Sequence, residues 1–434
     1  MTKLRFFCFV IIVFSMAFTK PESVQAQGLQ FFGIGPVNRS MGGAATAAPI
    51  EAIGALNYNP ATLTDLDNQL SVGAEFVTPL ADVNSSFAGN SGQTKSDSGW
   101  ATVPSIGLSW RPKPDSPITY GFGIFGIAGY SLNYPSSTTN PILFPQSPTG
   151  QTPTPGFGNI YADVSILQIV PTIALKVTDQ FSVSAGPTIT SARIMSSPFA
   201  FATPNPNGNG GATYPVGSGT EYTWGMGFQL GAYWKSENDI NLGASYKSPQ
   251  WFLPFDYHGA TASGLPRDYS FQFSYPQIVS LGAGYTGIER WLFATDVRYF
   301  DWKNSGIPGN PAQFSPDGTL TGLGWRSTWS VSFGTQYQMT DSLALRAGYA
   351  YSNSPITNSN AGFNVGTPLI LQHSLNMGAT IRLSKTLSAH AAYYYAPESS
   401  VSGPFQSPAG PVPGSNVSYR VTAQAISLGL TASF

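Results

Sequence analysis

Apolar and polar residues exchange places at every step along several stretches of this chain. Leu70, Val72, Ala74 and Phe76 fall on one side of an extended segment, with Ser71, Gly73 and Glu75 on the other. Trp224, Met226, Phe228, Leu230, Ala232 and Trp234 alternate with Gly225, Gly227, Gln229, Gly231 and Tyr233. Trp329, Val331, Phe333, Thr335 and Tyr337 alternate with Ser330, Ser332, Gly334 and Gln336. A period of two predicts strands. Fourteen such segments are predicted, near 69–78, 102–111, 117–128, 163–177, 180–194, 222–235, 239–249, 276–286, 290–302, 325–339, 342–352, 371–384, 386–396 and 419–434. Each reaches the roughly nine to eleven residues that a tilted strand needs to cross a bilayer. The connectors alternate in length: tight ones such as Lys113-Pro114-Asp115 and Thr340-Asp341-Ser342 take turns with long ones at 79–101, 129–162, 195–221, 250–275, 303–324, 353–370 and 397–418. Short turns on one side and long loops on the other are the plan of an outer-membrane barrel.

Composition narrows the choice further. Charged residues are 9% of the 434 and hydrophobic residues 42%, with aromatics at 13%. Few charges without an excess of aliphatics suit strands with one face toward lipid and the other toward a polar lumen. A net charge of −1 gives nucleic acid no purchase. The N-terminus carries Lys3 and Arg5, an apolar run from Phe6 to Phe18, and Val24-Gln25-Ala26, so 1–26 is predicted to be a secretory signal with Gln27 as the first mature residue. The run is too short to span a bilayer. Cys8, the only cysteine, lies within it, which leaves the mature chain without disulfides or cysteine metal sites. With no later run of eighteen apolar residues, only a closed barrel can carry an exported chain of this kind through lipid. The chain ends on Ile426, Leu428, Leu430, Ala432 and Phe434, a terminal strand of the type that barrel assembly machinery recognises.

A barrel of about 14 strands encloses more space than its wall side chains fill. Residues 27–68 precede the first strand, are nearly uncharged and rich in small residues, and suit a plug inside the lumen rather than a solvated tail. The domain plan is therefore signal 1–26, hatch 27–68 and membrane-spanning antiparallel β-barrel 69–434.

Specific residues carry a resemblance. Arg39-Ser40-Met41-Gly42-Gly43-Ala44 and Asn57-Tyr58-Asn59-Pro60-Ala61 resemble the hatch of the FadL-type outer-membrane transporters, with the hatch motif at Asn59, Pro60 and Ala61. Gly243 to Pro249, Ala294 to Tyr299 with Asp301-Trp302, and Leu345-Arg346-Ala347-Gly348-Tyr349 through Ser354-Pro355 are similar to wall segments of the same family, in the same order. The resemblance implies passive uptake of long-chain fatty acids or hydrocarbons by a monomer lying in outer-membrane lipid. Cargo would be captured by the third and fourth external loops, held in an interior pocket, and released sideways past a mobile hatch. Those loops correspond to 195–221, with Phe199, Phe201 and Tyr214, and 250–275, with Trp251, Phe252, Leu253, Pro254, Phe255 and Tyr257. The aromatic run is either a docking site for greasy cargo or a packed lid.

The sideways exit would lie at a kink in the third strand, where Gly123 and Gly126 are candidates, with Pro104, Pro171 and Pro187 in nearby strands. Strand glycine marks either such a defect or close approach of the plug. Parity turns Glu75, Lys247, Asp296, Arg298, Arg346, Arg382 and His390 inward. Lys247 and Arg298 are candidates to bind a cargo carboxylate, against the alternative that the charges pair with one another or with the hatch. No cofactor is indicated, and His258, His373 and His390 are too scattered for a metal site. His373-Ser374 lacks the orienting group and oxyanion site of a barrel lipase, so no enzymatic activity is expected. A diffusion porin or a surface adhesin would share the strands and loops, but neither has need of a plug.

Overall fold

The computed structural model describes residues 29–146, 156–206, 212–217, 222–261 and 265–434. The predicted signal, with Cys8 and Gln27, lies outside the described residues. Fourteen strands form one closed antiparallel wall. In chain order they are β1 (Gln69–Phe87), β2 (Ala101–Trp110), β3 (Ile118–Tyr134), β4 (Ile160–Lys176), β5 (Phe181–Ser197), β6 (Thr223–Lys235) and β7 (Ile240–Lys247). They continue with β8 (Ile278–Ile288), β9 (Trp291–Phe300), β10 (Thr328–Gln338), β11 (Leu343–Ser352), β12 (His373–Arg382), β13 (Leu387–Gly403) and β14 (Asn416–Ser433). Strand β1 pairs with β14 from Gln69–Ser433 to Ser86–Asn416 and closes the circle. Every segment predicted from alternation coincides with one strand.

The period-two pattern now has its physical meaning. Leu70, Val72, Phe76, Ile173, Leu230, Leu281, Met377 and Leu428 are exposed on the outside of the wall, where lipid belongs. Their neighbours Ser71, Glu75, Thr172, Gln229, Ser280 and Ser427 are buried in the lumen. The wall is uneven in height: β1, β3, β4, β5, β13 and β14 run for 17–19 residues, whereas β7 has 8 and β9, β11 and β12 have 10. Five predicted loops are therefore partly strand: β5 runs to Ser197 within 195–221, and 250–275 holds Gln250–Phe252, Phe255–Ala260, Pro266–Phe271 and Ser274–Tyr275. Within 79–101, β1 continues to Phe87 and turns back through Asn90–Lys95, while 129–162 and 397–418 lose residues to β3, β4, β13 and β14. Above the lipid the outer face of these extensions meets water while the inner face stays buried under the loops, as at Val83, Leu132, Val417 and Tyr419, so the ladder persists where the apolar outer positions fade.

The hatch fills the lumen. Its two short helices are α1 (Gly35–Ser40) and α2 (Ala52–Tyr58), followed by a 3₁₀ turn at Pro60–Asp65. Pro36 fits the first turn of α1, where its missing N–H costs nothing. Glu51 caps α2, its carboxylate accepting from the amides of Ile53 (2.9 Å) and Gly54 (2.8 Å). Glycines on the inner wall let the hatch backbone press against the strands. A Cβ at Gly348 would lie 2.2 Å from the Gly42 nitrogen, and one at Gly243 would lie 2.0 Å from the Thr46 carbonyl oxygen. A continuous apolar core runs from Ile53, Leu56 and Leu63 of the hatch, past Phe125 and Ile166, to Phe199, Phe271, Trp302 and Trp325 in and beneath the external loops.

Candidate functional site

The wall is broken between β2 and β3. Strands β2 and β3 pair from Trp110–Tyr120 up to Ser105–Phe125, and there the ladder stops. Above that point Ala101–Pro104 keep only their pairing with β1. Strand β3 follows β4 instead, through a bulge between Gly126 and Ala128. Pro104, which has no N–H to donate, stands at the break. The window closes again higher up, where the Asp97 amide donates to the Asn133 carbonyl (2.8 Å) and the Asn133 amide to Ser96 Oγ (3.0 Å). From inside, the leading segment of the hatch lies along the unpaired edge of β3. Gln30 forms a β-bridge with Ala128, and the Phe31 amide donates to the Ile127 carbonyl at 3.4 Å.

A cavity of about 330 Å³ passes through this window. Its inner end is lined by Phe31, Phe32, Arg39 and Glu75, and its outer end by Trp100, Thr102, Ser165 and Leu167. The two glycine candidates separate here. Gly123 faces the plug: a Cβ there would meet Leu56 at 3.3 Å. Gly126 sits at the break, and a Cβ there would lie 2.6 Å from Cγ1 and 3.8 Å from Cβ of Val103 across the window. The ladder between β4 and β5 also skips the rows around Pro171 and Pro187, but it resumes in the same register, and Gly186 packs against Pro171 there.

The inward charges are largely committed to the hatch. Glu75 holds Arg39 through two hydrogen bonds, one from Nε to Oε2 at 2.6 Å, and Tyr394 lies against the guanidinium at 4.8 Å. Asp296 accepts from the Ala45 amide (2.9 Å), the Thr46 amide (3.0 Å) and Thr46 Oγ1 (2.8 Å). Arg298, expected as a carboxylate ligand, is engaged by Asp296 and by the Gly43 carbonyl, and stacks over Tyr58 at 3.9 Å. Lys247 meets only neutral oxygens, Asn57 Oδ1 at 2.9 Å and Gln168 Oε1 at 3.2 Å. Arg346 donates to Gln336 and Thr380, and His390 bridges Thr380 and Thr431. Arg382 departs from the expectation: it ends β12 and is exposed at the rim, beyond the hatch that buries its counterparts.

In the hatch motif, Asn59 Nδ2 donates to the carbonyls of Thr46 (2.8 Å) and Ala232 (2.9 Å), while its Oδ1 caps the turn at Ala61. Pro60 opens that turn, and the motif fastens hatch to wall.

The third and fourth loops come together over the lumen. Phe199 is 1% exposed, at the centre of a cluster with Tyr257 (ring centroids 4.8 Å apart), Tyr269 (5.5 Å), Phe201 (5.7 Å) and Phe271 (6.0 Å). Phe252 and Phe255 extend the cluster toward Phe273. Burial raises the pKa of the Tyr257 hydroxyl, which donates to the Ile194 carbonyl at 2.8 Å and ties the loop hairpin to β5. Trp251 and Leu253 do not join this cluster. Trp251 pairs with Met226 on the outer, lipid-facing side, and both Trp251 and Leu253 are more than half exposed. The alternation slips by one residue between Lys247 and Gln250, where the register against β6 shifts from Lys247–Gln229 to Trp251–Met226, so Gln250 and Phe252 point inward and Trp251 and Leu253 outward.

Residue-level reading of the sequence missed the strap formed by Leu29–Phe32 and the ion pair between Asp163 and Arg193. Nothing local marks the strap, because its partner edge is created by a break elsewhere in the chain. Parity did offer the pair, since Asp163 and Arg193 are charges on the lipid-facing side of predicted strands. Among the described residues, no group of His, Cys, Asp and Glu is arranged to hold a metal.

Comparison with known proteins follows this geometry. A family model described as outer membrane protein transport protein (OMPP1/FadL/TodX) matches residues 16–434. A protein named as an outer membrane protein of Neisseria meningitidis serogroup B is 25% identical over 385 residues, 79% of this chain and 80% of its own length. Among solved structures, the Pseudomonas putida toluene transporter TodX superposes with a TM-score of 0.67 at 19% identity, covering 93% of this chain and 99% of TodX. The Ralstonia pickettii toluene transporter TbuX gives 0.65 at 17%, covering 93% and 99%. A Pseudomonas aeruginosa FadL homologue gives 0.66 at 17%, covering 94% and 100%.

Proposed function

The chain belongs to the outer membrane protein transport family (OMPP1/FadL/TodX), and from that premise we propose a route by which it carries hydrophobic molecules such as fatty acids or hydrocarbons. Cargo lands on the aromatic cluster of the third and fourth loops, around Phe199, Tyr257 and Phe271. It moves inward along the apolar core between loops and hatch. The strap Leu29–Phe32 then peels from the edge of β3, and the cargo leaves through the window between β2 and β3. The carrying observation is the ladder that stops at Ser105–Phe125 with a cavity passing through the wall above it. A plugged lumen gives an apolar solute no straight path, and the cavity at the window offers a way out through the wall. Two of the structural relatives are named as toluene transporters, in keeping with apolar cargo.

The window can be locked. A Cβ at position 126 would lie 3.8 Å from that of Val103, within the roughly 3.5–4.5 Å that a disulfide spans. Val103→Cys with Gly126→Cys would be expressed in cells lacking their own outer-membrane hydrophobe transporter, and uptake of labelled toluene and oleate measured. Uptake should be lost when the pair is oxidised and return on reduction. Undiminished uptake by fully cross-linked protein would rule out lateral exit.

A further inference from the structure

The cavity through the window carries four charged side chains on its wall: Arg39 and Glu75 at the inner end, Asp163 and Arg193 at the outer lip. The rest of the lining is mainly apolar, from Phe31 and Phe32 to Trp100, Val103 and Leu371. Arg39 is held by Glu75 through both prongs. At the lip, β4 and β5 place Arg193 beside Asp163, Nη2 donating to Oδ1 at 2.6 Å, with the ring of Tyr222 6.0 Å from the guanidinium. Both arginines of this cavity are thus matched by a carboxylate of their own.

An anionic head group entering this path would meet Glu75 and Asp163 as well as the two guanidiniums. To bind either arginine it would have to displace a carboxylate and leave that carboxylate uncompensated in an apolar setting, which is costly. Lys247 offers no relief. Its surroundings enclose only about 10 Å³, on the far side of Gln30 from the window, which is room for about one water and not for a carboxylate.

We infer that the Asp163–Arg193 pair is a charge filter at the outer lip of the window, which passes uncharged apolar molecules and discriminates against carboxylates. Asp163 supplies the selectivity by occupying the one guanidinium that emerging cargo would otherwise meet on the outer face of the wall. The filter rests on lateral exit as the route.

The test compares dodecane with dodecanoate, which share a chain length and differ in the head group, at neutral pH. Wild-type protein should take up labelled dodecane well ahead of dodecanoate. Asp163→Asn frees Arg193 and should raise dodecanoate uptake about tenfold, the weight of one charge-assisted hydrogen bond, with dodecane nearly unchanged. Adding Arg193→Gln to that variant should restore the wild-type preference, and Arg193→Gln alone should not raise dodecanoate uptake. Both cargoes would also be measured in the Val103→Cys, Gly126→Cys background. Equal uptake of the two by wild type, abolished by oxidation of the cysteines, would overturn the filter and leave lateral exit standing. So would an Asp163→Asn variant with unaltered preference. Uptake that ignores the cross-link would overturn lateral exit itself, and the filter with it.

Discussion

The hatch meets the wall in two unlike ways. Toward β7, β9 and β11 it is bolted. Asp296 gathers two hatch amides, a hatch hydroxyl and Arg298, Lys247 reaches Asn57, and Gly348 lets the backbone of Gly42 sit almost within the strand. The leading segment Leu29–Phe32, by contrast, is held at the window by one β-bridge at Gln30, one long amide bond at Phe31, and the Tyr275 hydroxyl donating to Gln30 at 2.8 Å, while α2 packs closely on Gly107 of β2 and Gly121 of β3. The bolted side uses buried charge and close approach, both of which are expensive to undo. The strap Leu29–Phe32 uses a few hydrogen bonds of ordinary strength, each worth about 1 kcal/mol net. A plug so built need not leave the barrel or unfold for a passage to open. On the proposed route, only its first few residues would have to shift.

Breaking the bolted side should have the largest effect. Asp296→Ala strands Arg298 and three hatch donors, which should cost about 3–5 kcal/mol. It should appear as a fall in the denaturant midpoint of purified protein and as ion leak in planar bilayers. A variant as stable and as tight as wild type would show that Asp296 is not a bolt. Gly348→Val comes next. Its side chain would collide with Gly42, and overpacking of this kind costs about 1–3 kcal/mol, read on the same two assays. Smallest in energy is Gln30→Ala, which removes the bond from Tyr275 at about 1 kcal/mol. Uptake of labelled toluene should quicken while the denaturant midpoint stays near wild type. Were Gln30→Ala to destabilise the protein as much as Asp296→Ala, the two attachments would be alike and the strap would be merely another anchor.

The barrel was legible in the sequence because lipid and lumen impose opposite polarities on alternate residues, and that constraint is local. It placed all fourteen strands, and it turned Glu75, Lys247, Asp296, Arg298 and Arg346 toward the lumen where they are buried. It fell short at Pro79–Phe87 and Asn416–Ser418, which continue their strands above the lipid with the outer face in water and the inner face buried under the loops. The partners of inward charges were also hidden. Asp296 and Thr46 lie 250 residues apart in the chain, and Arg39 and Glu75 meet only because the hatch folds back into the barrel. Gly123 and Gly126 look alike in sequence, yet one accommodates Leu56 and the other sits where a ladder ends. That distinction belongs to the register between two strands, which no single segment encodes.

The window also has a height. Its base is level with Gly73 on β1 and it rises past Thr102, the partner of Phe76. Phe76 and Ile426 are still lipid-facing at that level, whereas Asp82 and Arg420 above them form an ion pair suited to water and sugars. A solute emerging there would step directly into the hydrocarbon of the outer leaflet, having passed beneath the hydrated surface layer that repels it. Each methylene that exchanges a wet surrounding for oil gains about 0.8 kcal/mol. On the proposed route, partition would set the direction of travel, and the bilayer would serve as the second half of the conduit.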